Sequence, residues 1–215
     1  MKTLVVVRHG ETALNKPPER IRGWHDMPLN AKGKQEAAQV AREISKGIKK
    51  PGRIFTSDLI RATKTANIIR GRWGLGVEVK ATKGLRPWDV GKYTGQPIKD
   101  IFPELSRYIK ERGTKIPGGE SFNDFVGRAI DEWCEIMAYA EQASAPVIAV
   151  THTRNVRVLL ALAADGVDAV INGPPSLYLS KAEDPIPPGD FLILTFNGKE
   201  WKEGFVEQNR AHSTG

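Results

Sequence analysis

The first apolar positions of the chain fall together: Leu4-Val5-Val6-Val7 is an unbroken, largely β-branched run, the pattern of a strand covered on both faces. Residues 146–150 repeat it, and residues 53–56 are a shorter version. Residues 77–81 alternate apolar with charged side chains, which predicts an edge strand. A last strand is predicted over 191–196. It turns at Asn197-Gly198, a strong hairpin signal, and returns through Trp201.

Helical periodicity fills the intervals. Asn30 is placed to cap a helix running to about Lys50, with Ala37, Val40, Ala41 and Ile44 on its apolar stripe and Pro51-Gly52 as the stop. Ser57 is expected to cap a helix over 58–70, with Leu59, Thr63, Ala66 and Ile69 near one face. Ser121 with Asp124 has the spacing of a capping box and is followed by Phe122, Phe125, Val126, Ala129, Ile130, Trp133 and Met137. A further helix follows His152 to Ala164. Strands alternating with helices predict a three-layer α/β sandwich with a mostly parallel central sheet and helices on both faces. Residues 86–118 break the rhythm and are expected to form a short cap, with an amphipathic piece over 101–109, inside a single domain spanning 1–215. Residues 184–188 read as a connector and 208–215 as a frayed tail.

Composition narrows the function only slightly. The 32 basic and 25 acidic residues leave a net charge of +7, which suits an anionic partner but does not separate a nucleic acid from a small phosphate. The basic group Arg42, Lys46, Lys49, Lys50 and Arg53 lacks interleaved aromatics and reads as a solvated helix face, so nucleic acid is not the expected partner. One cysteine, Cys134, cannot form an internal disulfide and is expected to be a core residue. The four-residue apolar run before Arg8 is too short for a leader, and no run approaches a spanning helix. The expectation is a cytoplasmic protein without a membrane anchor, and pairing into a homodimer is left open.

In open parallel sheets ligands bind beyond the carboxyl ends of the strands. There the first strand delivers Arg8-His9-Gly10-Glu11-Thr12, the strand ending at Ser57 is followed by Arg61, and Val150 is followed by Thr151-His152-Thr153. Two histidines and two arginines could converge there on one point, a set that suits phosphoryl transfer. A neutral, oriented imidazole such as His9 can attack phosphorus, while arginine forks match the phosphoryl oxygens without a metal. His152 would add a donor, and Thr12 and Asn15 offer polar groups on the same loop. No cofactor is called for.

Further pieces follow in order: Arg22-Gly23-Trp24 with Asp26, Ser57-Asp58-Leu59-Ile60-Arg61-Ala62 with Thr65-Ala66, and Pro117-Gly118-Gly119-Glu120-Ser121. Together they resemble the motifs of the histidine phosphatase superfamily, in its phosphoglycerate-mutase-like branch. The resemblance implies His9 as the phosphorylated nucleophile and Arg8, Arg61 and His152 as the phosphate pocket. It also puts Asn15, Arg22, Gly23 and Thr153 at ligand-contacting positions. Two residues depart from the pattern. The family's glutamate, two residues after the leucine of its acid motif, is replaced by Pro87 in Leu85-Arg86-Pro87-Trp88-Asp89-Val90-Gly91, and Thr153 stands where a glycine normally follows the second histidine. Asp89, on the same loop, is assigned as the proton donor, with Glu120 and Glu11 as competitors.

The resulting expectation is a metal-independent phosphatase acting on a small phosphomonoester. The alternatives are a mutase-type phosphotransferase and a phospho-ligand-binding protein with little turnover. The interval of about 25 residues between Gly91 and Pro117 is short for the enclosing insertion expected of a mutase. Asp58 is expected to cap its helix or pair locally and His25 to be a loop residue. Trp24, Trp88 and Tyr93 are read as either structural or bordering the pocket.

Overall fold

The computed structural model describes residues 1–173 and 186–204. Six strands form one sheet: β1 (Lys2–Arg8), β2 (Arg53–Ser57), β3 (Glu78–Thr82), β4 (Val147–Thr151), β5 (Phe191–Phe196) and β6 (Trp201–Gly204), in the order β3-β2-β4-β1-β5-β6. The first four in that order run parallel, and β5 is antiparallel to both of its neighbours. The sheet is therefore mixed and mostly parallel.

Alternation along the buried strands divides the core in two. Leu4 and Val6 of β1, Phe55 of β2, and Val147 and Ala149 of β4 face one layer. It holds α3 (Ile98–Lys110), α4 (Phe122–Gln142) and α5 (Thr153–Asn172). Val5, Val7, Ile54, Ile148 and Val150 face the other, where α1 (Ala31–Gly47) and α2 (Ile60–Arg70) pack through Val40, Ala41, Ile44, Ala62, Ala66 and Ile69. Helices thus cover both faces of the parallel strands, as their continuous apolar runs require.

Several local expectations are met by the hydrogen bonds themselves. The Asn30 side chain accepts from Gly33 N at 2.8 Å, and Ser121 and Asp124 form a reciprocal capping box. The Asn197 side chain accepts from Lys199 and Glu200 in the β5–β6 turn. Residues 184–185 of the connector and the tail lie outside the described residues.

Other expectations are corrected. Helix α2 starts at Ile60, with Leu59 and not Ser57 at its cap position, and the amide of Ile60 donates to the Asp26 carboxylate at 2.7 Å. Helix α5 continues past Ala164 to Asn172, broken at Gly166, whose φ of 79° favours glycine. Cys134 is exposed: the buried stripe of α4 runs through Ala129, Ile130, Trp133 and Ile136, and the next position turns outward. Trp88 and Tyr93 are buried in the core on the α3–α4 side, edge-on to Phe122 and Tyr108 respectively. Among the described residues, no helix is long and apolar enough to cross a membrane.

Candidate active site

Because β4 lies between β1 and β2, their carboxyl ends bring Arg8, Thr151 and the loop after Ser57 side by side. His9 leaves β1 still tied to β4, its amide donating to Thr151 O at 3.1 Å, while its own carbonyl accepts from Gly189 N. The His9 and His152 rings stand 4.9 Å apart between centroids, and both residues are buried. Residues 9 and 152 each directly follow a β-strand, and Arg8 is paired with Thr151, so the sheet register sets that spacing.

The Nδ1 atom of His9 lies 2.8 Å from Gly10 O. A carbonyl oxygen only accepts, so Nδ1 carries the proton and Nε2 keeps the lone pair. Burial above all, then the charges of Arg61, Arg22 and Arg8, hold the His9 pKa well below its ordinary value against the opposing Gly10 bond. His152 is lowered by burial first, and by the same arginines together with His9. Both rings are neutral at physiological pH, and the Nε2 of His152 is buried without a hydrogen-bond partner.

Arg61, in the first turn of α2, donates from Nη1 to His25 O at 2.8 Å and from Nη2 to Gly23 O at 3.0 Å, leaving Nε buried and unpartnered. Burial, followed by the charge of Arg22, pushes its pKa down to about 9, so it stays protonated at neutral pH. Gly23 has φ +46°, and a Cβ there would meet Val90 Cγ2 at 2.9 Å, so this carbonyl clamp on Arg61 requires glycine. The guanidinium of Arg8 donates to Ile186 O at 3.0 Å. Arg22 pairs with Glu19 at 3.5 Å and acts on both histidines through its charge. Buried cations beside neutral imidazoles are costly unless an anion joins them.

The supporting residues have separable tasks. Thr12 is fully buried, and both its amide and its hydroxyl donate to Asn15 Oδ1 at 2.9 Å, which closes the loop after His9. Thr153 begins α5 directly after His152, so the positive end of that helix dipole opens at the site. His25 is an exposed loop residue, and Asp58 neither caps α2 nor pairs locally: it binds Arg86, 28 positions further along, bidentately at 2.6 and 2.7 Å. Trp24 is structural: its Nε1 donates to Pro87 O, and the guanidinium groups of Arg86 and Arg128 lie 4.5 and 5.5 Å from its ring centre.

Asp89 lies on the loop that follows β3. Its Oδ1 accepts from Gly91 N at 3.1 Å, and none of its hydrogen bonds reaches the histidines. Its two competitors are committed elsewhere: Glu120 to Arg128 and the Asp89 amide, and Glu11 to Asn30 and Lys32. Those two partners of Glu11 are the main cause of its lowered pKa.

Two positions had been given no role by the sequence, although Thr65 stands in the Arg61 motif. Thr65 Oγ1 accepts from Gly10 N at 3.2 Å and donates to Arg61 O at 2.8 Å, joining the nucleophile loop to the arginine helix. Gly33 opens α1 so close to that loop that a Cβ on it would lie 2.1 Å from Glu11 O. Thr65 sits four residues after Arg61, a spacing that could have flagged it; nothing local marks Gly33. Among the described residues, no group of three or more His, Cys, Asp or Glu gathers in a metal-binding arrangement.

The sequence profile of the histidine phosphatase superfamily (branch 1) matches residues 4–171. A Yersinia enterocolitica protein named "Probable phosphoglycerate mutase GpmB" is 36% identical over 147 residues, which cover 64% of this chain and 66% of that one. An Arabidopsis thaliana phosphoglycerate mutase-like protein 4 is 37% identical over 131 residues, covering 58% and 56%. The chain thus spans only part, 56 to 66%, of the length of these curated relatives. Among solved structures, a mycobacterial glucosyl-3-phosphoglycerate phosphatase in complex with VO3 superposes with a TM-score of 0.71 at 26% identity, over 95% of this chain and 98% of that one. The alpha-ribazole phosphatase of Shigella flexneri, at 20% identity and a TM-score of 0.73 over 96% of each chain, shares the fold.

Proposed function

Since the chain belongs to the histidine phosphatase superfamily, branch 1, we propose that it hydrolyses a small phosphomonoester through a phosphohistidine on His9, without a metal ion. The observation that carries this reading is the state of His9, a neutral ring whose Nδ1 proton is given to Gly10 O, beside the charged Arg61 with its unpartnered Nε. The lone pair of Nε2 forms the N–P bond as the ester P–O bond breaks. Arg8, Arg61 and His152 hold the phosphoryl oxygens, and Arg22 adds positive charge. Thr12, Asn15, Gly23 and Thr153 shape the pocket around them. The departing oxygen takes its proton from Asp89. Water, deprotonated by the same carboxylate, then attacks phosphorus, which releases inorganic phosphate and restores neutral His9.

The names of the curated relatives favour a second reading, phosphoglycerate mutase chemistry, in which the phosphoryl group returns to the substrate. The interval between Gly91 and Pro117 holds a single 3-10 turn, Gly91–Tyr93, and one α-helix, α3, and so short an enclosure supports hydrolysis, because a mutase must keep water from its phosphoenzyme. The test is to measure phosphate release from a panel of phosphomonoesters beside isomerisation of 3-phosphoglycerate, with and without a chelator. Expected are phosphate release unaffected by the chelator, acid-labile phosphate on His9 in quenched enzyme, and loss of both in His9→Ala. Isomerisation without release would establish the mutase. Retention of more than a few per cent of activity in His9→Ala would rule out the phosphohistidine.

A further inference from the structure

Arg128 of α4 takes no part in the chemistry above, yet its guanidinium spends donors in every direction. Nη1 lies 3.2, 3.1 and 2.9 Å from the carbonyl oxygens of Lys83, Gly84 and Arg86. Nη2 donates to Pro87 O and to Glu120 Oε1, both at 2.7 Å, and Nε donates to Glu120 Oε2 at 3.0 Å. An arginine has five N–H groups, so such a set is complete. The four carbonyls belong to the loop in which Pro87 replaces the family's glutamate. Glu120 then continues the chain of contacts, accepting the Asp89 amide on Oε1 at 2.9 Å and donating its own amide to Asp89 O at 3.2 Å. The Asp89 backbone is therefore gripped on both sides by a residue that Arg128 itself grips in two places.

We propose that Arg128 is a positioning residue for catalysis: through Glu120 and the carbonyls of Lys83, Gly84, Arg86 and Pro87 it fixes the loop that presents the leaving-group acid to the phosphoryl site. With these four carbonyls drawn toward α4, and Leu85 O accepting from Thr151 and Asn155, the loop's freedom is spent on that side. Without the guanidinium, four carbonyls and a carboxylate would each lose a donor, and the loop would be left to its remaining holds, Trp24 Nε1 on Pro87 O, Asn155 Nδ2 on Arg86 O and the Arg86 amide on Lys83 O. This inference rests on the phosphohistidine reading of the site, and it is independent of which loop group gives the proton.

The experiment compares Arg128→Gln and Arg128→Lys with Asp89→Asn, using an alkyl phosphate and an aryl phosphate with an acidic phenol. Thermal unfolding and circular dichroism establish folding, and Arg128→Lys, which keeps the charge, serves if the glutamine variant does not fold. An acidic phenol leaves without protonation, so a misplaced acid slows only the alkyl ester. Expected is a loss of about 10- to 100-fold in kcat on the alkyl phosphate in Arg128→Gln, with the aryl phosphate within about 3-fold of wild type and KM little changed, and a partial return in Arg128→Lys. Equal losses on both esters, or none on either, would overturn the role of Arg128. If Asp89→Asn is without effect while Arg128→Gln stays selective, the assignment of Asp89 falls and that of Arg128 stands. If His9→Ala keeps its activity, the phosphohistidine reading fails by itself.

Discussion

Lowering the pH tests the neutral histidine pair without altering a residue. His9 and His152 both titrate well below the ordinary imidazole value in the folded chain, chiefly through burial. In the unfolded chain each takes up a proton near pH 6.5. A depressed folded-state pKa means that the unfolded state binds more protons below pH 6.5, so stability is retained above that pH and lost as pH falls toward the folded value. While both rings stay neutral in the folded chain, each costs up to about 1.4 kcal/mol between about pH 7.5 and pH 5.5, or about 2.7 kcal/mol together. For an m-value near 2.5 to 3 kcal/mol/M that loss moves the urea midpoint down by about 1 M. The assay is urea unfolding at the two pH values in phosphate-free buffer, on wild type and on His9→Gln/His152→Gln. Subtracting the double variant removes every other titrating group. A pH-dependent midpoint shift as large in the double variant as in wild type would refute the neutral buried pair, and an electrically neutral Nε2 nucleophile would lose its support.

Two substitutions probe the clamp around that pair. Arg61→Ala removes the buried fork held by Gly23 O and His25 O, and is expected to lower kcat/KM by about 100- to 1,000-fold, measured by phosphate release; an unchanged rate would take Arg61 out of the pocket. Thr65→Val keeps the shape but strands the buried Gly10 amide, for a stability loss of about 1 to 3 kcal/mol by urea unfolding and a fall in kcat. Thr65→Ser should restore both, and a valine variant equal to wild type would remove Thr65 from the framework.

The parallel core was legible because strands covered on both faces leave continuous apolar runs: residues 4–7 and 146–150 carry nothing else, and Ile54-Phe55 is a shorter example. The cluster of His9, Arg8, Arg61 and His152 was legible for a related reason. Each follows such a run, and the strand order brings β1, β4 and β2 together at their carboxyl ends. What escaped the sequence is contact made across the fold. Helix α2 was expected to be capped by its own Ser57, whereas its first amide is taken by Asp26, a carboxylate 34 positions away, and Asp58 is drawn off to Arg86. Cys134 was misplaced by one step of helical period, since a fully buried Trp133 says nothing about the side to which the next residue turns.

The acid loop marks the same limit at the site itself. Its replacement of glutamate by Pro87 is plain in the sequence, but what holds the loop is a set of backbone carbonyls, and carbonyls are the part of a chain that every sequence shares. Arg128 therefore reads as one more basic residue on a helix until its partners are seen: it is about one-fifth exposed at the side chain and paired with Glu120 across a single bend of the chain. Proline has no amide to donate, yet its carbonyl is free to accept, and Pro87 O accepts twice, from Trp24 Nε1 at 2.8 Å and from Arg128 Nη2 at 2.7 Å. A substitution that removes the side chain expected to do chemistry thus leaves a backbone that two neighbours can grip. The loop keeps a defined course, and in the mechanism proposed above the Asp89 carboxylate, two positions further on, acts from a fixed place.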